Sequence, residues 1–587
     1  MKQFLKFTLA SVVGISIVIG LMFLVFIGIV ATLGQKEAVH LEDPSVLHLT
    51  LPYPIHDRGS NNPFDRIGIN GLPQGEIYGL HDIIRAIKYA GEDEKIKGIY
   101  LDVSLLQAGM ASVEELRNAL INFKATGKFI VGYSEIYTQK SYYLASVAND
   151  LFLNPAGVIE FKGLSAQVQF YKRALEKLGV DIQVIRHGQF KSAVEPFMLD
   201  SMSPANREQN YVLVHSIWEQ LTGDISMSRD IPAGTLNNIA DSILIRRPDD
   251  ALKHHLVDDL LYEDQVMDVL KENCGLDEDG TLYLVSLDRF LKAPGHIQTP
   301  RPKDKIAVIY AMGTIQGGKA YDAETMGSAK MASTIRSARK DPSVKAIVLR
   351  INSPGGSALA SDVIWRELVL ARIEKPLVVS MGDVAASGGY YIACAADTIV
   401  ASPFTITGSI GVFGILPNLR QLMEEKLGID FDTVNTNPYA DFGNISRPLY
   451  YRERQAIQDM VEFIYDDFLE KVSDGRGIKK ALVDSIGQGR VWSGSSARKI
   501  GLVDMFGDLD MAVEVAADMA KLESYRIVDL PEQKEFLEKL MEDWSGSMTQ
   551  YSLEQQLGPL SKHVKTIDFL KNTKGVQALI PYNIDIE

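Results

Sequence analysis

The sequence predicts an α/β protein: two tandem copies of one unit on mostly parallel sheet, preceded by one N-terminal transmembrane helix. Three observations predict this. The chain repeats itself at an offset of about 248 residues, strand-like apolar runs alternate with helical stretches in both copies, and an uncharged apolar run stands near the N-terminus. A repeat has to be read before local structure, because it sets the architecture.

The repeat is visible in two places. Ser134-Glu-Ile-Tyr-Thr-Gln-Lys-Ser-Tyr-Tyr-Leu-Ala145 falls on Gly382-Asp-Val-Ala-Ala-Ser-Gly-Gly-Tyr-Tyr-Ile-Ala393. Glu176-Lys-Leu-Gly-Val-Asp181 falls on Glu425-Lys-Leu-Gly-Ile-Asp430. At 587 residues a length prior alone gives three or four domains. The repeat reduces this to two large units, each long enough to bury its own core.

In chain order, Phe7 to Gln35 is uncharged and longer than the ~20 residues that cross a bilayer. Lys2 and Lys6 precede it, so residues 1–34 read as a cytoplasmic N-terminus and an uncleaved anchor, with the remainder outside the cytoplasm. A cleaved signal peptide would have an apolar core of ~7 to 15 residues, about half of this one. The first copy spans 35–291. Its strand-like runs are Ser45–Pro52 and Ile96–Val103, with a helical stretch at His81–Ala90 between them. A linker at 292–304 carries three prolines and a glycine, the composition of an exposed boundary.

The second copy, 305–520, repeats the order. Lys305–Tyr310 reads as a strand, Ala332–Lys340 as a helix, and Lys345–Ile351 as a strand. Pro376–Ser380 is a further strand, with helices at Ala358–Ala371 and Tyr390–Ala396. Strands separated by helices imply βαβ units. The charged stretch 521–587 is expected to be a helical extension without a partner in the first copy.

Composition is ordinary globular, 46% hydrophobic and 23% charged. A net charge of −15 without a basic run argues against a nucleic-acid partner. The two cysteines, Cys274 and Cys394, form neither a disulfide framework nor a metal set. None of the ten histidines belongs to a His-Glu-x-x-His motif, so nothing supports a zinc peptidase. No cofactor is expected.

Chemistry concentrates in three segments. In Met381-Gly-Asp-Val-Ala-Ala-Ser-Gly-Gly-Tyr-Tyr391, Ser387 stands at a strand-to-helix turn, where free backbone N–H groups favour developing negative charge. A helix N-cap serine between turn glycines is the plain alternative. In Arg350-Ile-Asn-Ser-Pro-Gly-Gly-Ser357, paired glycines can turn backbone N–H groups toward a bound carbonyl, as an oxyanion hole requires. In Gly188-Gln-Phe-Lys-Ser-Ala-Val-Glu-Pro196, Lys191 has apolar neighbours that suit burial, and burial can neutralise a lysine near pH 7. A serine needs such a base. Glu195 would hinder that role if it pointed inward, and is expected to point away. The copies are complementary: Gln139 stands at the position of Ser387, and Ala440 at the position of Lys191. His187, four residues before Lys191, is an alternative base, though a surface histidine is the simpler reading. Cys394 reads as a small buried residue.

Four phrases together resemble the signal peptide peptidase A (protease IV) family in its long, two-repeat form. They are Ala385-Ala-Ser-Gly-Gly-Tyr-Tyr391, Arg350-Ile-Asn-Ser-Pro-Gly-Gly356, Phe190-Lys-Ser-Ala-Val-Glu-Pro196 and Thr407-Gly-Ser-Ile-Gly-Val-Phe-Gly414. The resemblance spans residues 45 to 520 and the N-terminal run. It implies two repeats of the Clp-protease/crotonase-like fold, the first supplying the lysine and the second the serine. It implies Ser387 as nucleophile, Lys191 as general base, Ser409 orienting the lysine, and N–H groups of Gly356 and Gly388 as oxyanion donors. It also implies a homotetramer on the extracytoplasmic face of the bacterial inner membrane that degrades signal peptides. Competing readings are a broader quality-control protease for membrane proteins, a crotonase-like acyl-CoA enzyme, and a non-catalytic membrane scaffold.

Overall fold

Two parallel sheets carry the repeat, and a third sheet is shared between the halves. The structure is a computed structural model. It describes residues 41–59, 79–293 except 278, 302–532 except 321–323, and 576–579, with scattered residues inside 1–22.

The strands of the first half are β1 (Ser45–Thr50), β2 (Ile96–Asp102), β3 (Phe129–Tyr137), β4 (Asp150–Ile159), β5 (Asp181–Arg186), β6 (Asp259–Leu260) and β7 (Tyr283–Ser286). All but β5 form one sheet, in the order β6-β4-β3-β2-β1-β7, and every pairing in it is parallel. The second half contributes β8 (Lys305–Met312), β9 (Thr314–Gln316), β10 (Thr325–Gly327), β11 (Val344–Ser353), β12 (Gly355–Ser357), β13 (Leu377–Ala386), β14 (Thr398–Ala401), β15 (Ile406–Gly408), β16 (Phe413–Asn418), β17 (Val491–Ser493), β18 (Met505–Phe506), β19 (Arg526–Leu530) and β20 (Val576–Leu579). Its sheet runs β17-β15-β13-β11-β8-β19, with β14 beside β13 and β18 beside β14. Only β15 and β17 pair antiparallel in it.

The two orders correspond: β6-β4-β3-β2-β1-β7 matches β18-β14-β13-β11-β8-β19. One expectation changes here. The stretch after Lys521 was expected to be helical and unmatched. Its described part instead contains β19, which extends the second sheet as β7 extends the first. Arg526-Ile-Val-Asp-Leu530 is short, and its β-branched pair adds to a ready sheet edge.

The central strands are buried on both faces, as parallel strands between helix layers must be. β8 and β11 are nearly continuous Ile, Val, Leu and Ala, and Ile306, Ile309, Ile347 and Leu349 have no exposed surface. The helix Ala358–Glu374 starts where the Ser357 hydroxyl accepts a hydrogen bond from the Ala360 N–H. The predicted strand Pro376–Ser380 runs on to Ala386. Past Met381 its register against β11 shifts, and Val384–Ala386 then pair with β15.

Buried polar side chains join the halves. Arg350 on β11 donates from Nε to Asp57 at 2.6 Å and pairs through Nη1 with Glu115 at 2.7 Å. Asp383 on β13 accepts from the Ser112 hydroxyl at 2.6 Å and from the Ser112 N–H at 3.0 Å. Asp57, Ser112 and Glu115 belong to the first half. Burial raises the Glu115 carboxyl to about 8, against the pull of Arg350.

The third sheet, β10-β9-β12-β20-β16-β5, contains strands of both halves. In it β5 leaves its own half and pairs antiparallel with β16 over six residues, from Arg186 opposite Phe413 to Asp181 opposite Asn418. Ile185 of β5 is buried in the second core.

Among the described residues no helix is long and apolar enough to cross a membrane. The anchor expected between Phe7 and Gln35 lies largely outside the described residues. Its described positions, among them Val13, Ile15, Ile17, Val18 and Leu21, are helical and exposed.

Candidate active site

β13 ends at Ala386, and the helix Gly388–Ala393 begins two residues later. Ser387 makes the junction alone, and its backbone shows the cost. It has φ 55° and ψ −114°, a conformation that L residues rarely hold. Two backbone bonds pin it: its N–H donates to Gly408 O at 2.8 Å, and its carbonyl accepts from the Tyr391 N–H at 2.8 Å. The side chain is fully buried.

Lys191 arrives from the other half. β5 is registered on β16, so the chain leaves it at Arg186 and meets the second half within a few residues. The Phe190 N–H donates to Gln488 O at 3.0 Å, and Arg186 Nη1 donates to the Lys191 carbonyl at 3.0 Å. The lysine Nζ then lies 2.8 Å from Ser387 Oγ, 2.9 Å from Ser409 Oγ and 3.2 Å from the Ser409 carbonyl oxygen. Lys191 is fully buried, and burial alone lowers its amine from 10.5 to about 7. The three neighbours suit a neutral amine. Its two N–H bonds can serve the two Ser409 oxygens, leaving the lone pair for the Ser387 O–H.

Glu195 is turned away from this amine. Its carboxylate accepts from the Ser203 hydroxyl at 2.6 Å, the Ser203 N–H at 3.1 Å and Asn206 Nδ2 at 2.9 Å, and Arg186 stands 3.7 Å off. His187 faces elsewhere too. Its Nδ1 lies 2.6 Å from Glu462 Oε2, and its ring stacks on Tyr465. The Cys394 thiol is buried, donates to the Tyr391 carbonyl at 3.1 Å, and is pushed by burial up to about 12. Among the described residues no group of three or more His, Cys, Asp or Glu could hold a metal ion.

The glycine pair of β12 closes the site. Gly355 has φ +100° and Gly356 φ +156°. A Cβ built on Gly388 would stand 3.1 Å from the Gly356 nitrogen, so the amides of the two expected oxyanion donors are neighbours. A Cβ on Gly356 would collide with the Ile315 carbonyl, so only glycine fits between β9 and the serine turn.

Sequence reasoning missed the residues that hold the lysine. Gly489 has φ +81°, and a Cβ there would lie 2.5 Å from Lys191 Cβ and 2.6 Å from its Cα and N. Gly411 stands against the lysine stem, its would-be Cβ 3.4 Å from Lys191 Cδ. The Phe413 ring centroid is 5.9 Å from Nζ and supplies an apolar wall. The phrase Gly487-Gln-Gly489 was the available signal, but nothing local ties it to residue 191.

The first half shows what a filled counterpart looks like. Gln139, at the position of Ser387, is buried and closed on the backbone. Its Oε1 accepts from the N–H groups of Lys162 and Gly163 at 2.8 Å each, and its Nε2 donates to Gly163 O at 2.9 Å. Ala440, at the position of Lys191, lies in an exposed loop.

Known proteins resemble this chain over most of its length. The profile of Peptidase family S49 matches residues 122–277 and 370–523, one stretch in each half. A Salmonella typhi protein named Protease 4 is 37% identical over 548 residues, 90% of this chain and 87% of that protein. A Haemophilus influenzae Protease 4 is 36% identical, covering 77% of this chain and 74% of its own length. The chloroplastic serine protease SPPA of Arabidopsis thaliana is 35% identical, covering 83% and 72%.

Proposed function

The chain belongs to peptidase family S49 and is a serine endopeptidase, and from that premise we propose that Ser387 and Lys191 are its catalytic dyad. The observation that carries the proposal is the buried amine, lowered to about 7, 2.8 Å from the serine hydroxyl. A general base needs this reach and a pKa near the working pH.

In this mechanism the Lys191 lone pair takes the Ser387 proton as Oγ attacks a peptide carbonyl. Ser409 accepts the lysine's N–H bonds and holds its lone pair on Ser387. The N–H groups of Gly356 and Gly388 receive the oxyanion; losing one such donor typically costs ~10²–10³ in rate. Lys191 then gives its proton to the leaving amine and activates the water that releases the acyl group. No charged partner is needed to orient the base, because two Ser409 oxygens do so.

We further propose that the substrates are apolar peptides, signal peptides above all, met at the extracytoplasmic face of a bacterial inner membrane. The apolar run before residue 35 would tether the enzyme there, and a homotetramer would enclose the sites. Small residues around Ser387 favour small side chains next to the cut. The test is a fluorophosphonate probe with a synthetic signal peptide. Labelling at Ser387 with hydrolysis of the peptide is expected. Absence of labelling on folded protein would sink the dyad, and labelling with inert signal peptides would sink the substrate class.

A further inference from the structure

Lys191 is the apex of a tight turn. Its φ of −72° and ψ of 68° are those of an inverse γ-turn, and the Ser192 N–H closes that turn on the Phe190 carbonyl at 2.7 Å. One hydrogen bond holds such a turn, so the aim of its central side chain depends on what grips its two ends. Gln209 grips both. It lies on the helix Pro204–Arg229 of the first half and is 1% exposed. Its Nε2 donates to the Phe190 carbonyl at 3.2 Å and to the Ser192 hydroxyl.

The other end of the same amide reaches the second half. Gln209 Oε1 accepts from the Val491 N–H of β17 at 3.3 Å. This orientation is forced, because a backbone carbonyl can only accept and a backbone N–H can only donate. Arg490, the residue before Val491, gives its carbonyl to the Ser409 N–H at 2.7 Å. Val491 pairs with Gly408, whose carbonyl takes the Ser387 N–H at 2.8 Å. One side chain therefore joins the turn of the lysine to the strand pair that holds Ser409 and Ser387. Its helix is fastened beside the lysine as well: Ser203, the N-cap, and Asn206 both bond Glu195, four residues past Lys191.

We propose that Gln209 is a positioning residue for the reaction, its amide fixing the distance between Lys191 and the two serines without touching a reacting atom. This inference rests on the Ser387–Lys191 reading. Reacting groups displaced by ~1 Å can lose about 10²-fold in rate. A loosened turn also lets water reach the amine. Burial alone lowers Lys191, and the charged side chains around its turn are paired with one another: Arg186 with Glu195 at 3.7 Å and Arg490 with Glu208 at 3.1 Å. Water at the amine therefore moves its titration back toward 10.5.

The experiment measures kcat, KM and the pH profile of kcat/KM on the purified full chain, with active sites counted by complete fluorophosphonate labelling of Ser387. Gln209→Leu is expected to lower kcat per labelled site by ~10- to 100-fold, to leave KM within about twofold, and to move the midpoint of the profile upward. Gln209→Glu keeps the shape and the oxygen for Val491 but sets a second oxygen against the Phe190 carbonyl. It is expected to shift the midpoint the same way, and it carries the test should the leucine variant not fold. Wild-type kcat and midpoint in the variants would overturn the role and leave the dyad standing. A loss confined to melting temperature and to the number of labelled sites, with the midpoint unmoved, would overturn it too and make Gln209 a packing residue. A wild-type chain that takes no label would overturn the dyad and this role together.

Discussion

Lys191 Nζ stands 2.8 Å from Ser387 Oγ although 196 residues separate them, and the contact is made within one chain. Neither side chain reaches solvent. The cost of charging a buried amine lowers Lys191 to about 7, and only its neutral form can accept a hydroxyl proton. Most of what can be measured on this protein follows from that pair.

Removing either partner should abolish turnover without unfolding the protein. Ser387→Ala and Lys191→Ala are each expected to lower kcat by ~10³ or more, since neither residue works without the other. Peptide hydrolysis, with circular dichroism to check the fold, measures this. Near-normal turnover by Lys191→Ala at neutral pH would reject its role as base.

The pH dependence has a definite sign. Lys191 falls from 10.5 to about 7 on folding, so kcat/KM should rise with pH through about 7 and level off above it. The same shift costs stability. Between about 7 and 10.5 the unfolded chain binds the extra proton, so stability rises with pH across that window. Lys191→Met should remove this slope and, below pH 7, gain stability up to roughly 5 kcal/mol. Denaturant unfolding at pH 6 and 9 checks both signs.

The role proposed for Ser409 is exerted through the lysine. Ser409→Ala removes one of the two oxygens that orient Nζ and should reduce kcat by about 10- to 100-fold with KM little changed. A matching rise in KM would point instead to a role in the substrate groove.

Gly489→Ala places a methyl against Lys191 and asks alanine to hold φ +81°. The backbone strain alone is worth ~1–2 kcal/mol. The displaced lysine should cost a further loss of activity, out of proportion to the drop in melting temperature. Full activity in a destabilised variant would show that the lysine does not depend on this contact.

The seam between halves depends on Arg350. Asp57→Ala leaves a buried guanidinium with one carboxylate fewer, and breaking such a pair costs ~3–5 kcal/mol. Thermal unfolding measures the loss. A change under 1 kcal/mol would mean that solvent reaches the site.

Some of this was legible before any coordinates. The repeat offset, the alternation of strands and helices, and the complementary losses at Gln139 and Ala440 are local facts of sequence, and they pointed to Ser387 and Lys191. β19 was not legible, because five residues with one β-branched pair declare a strand only beside the edge that receives them. Gly489 was hidden for a similar reason: its importance lies in the backbone of a lysine almost three hundred positions earlier. Nor could sequence foretell that β20 would pair between β12 and β16.

Sequence by itself determined which side chains could react, since chemistry resides in residue type and a duplicated pattern exposes what each copy has kept. Only the tertiary structure decided how far the amine's pKa falls and which oxygens surround it. A pKa is set by what surrounds a group, and here β5 crosses into the other half and carries the lysine out of water.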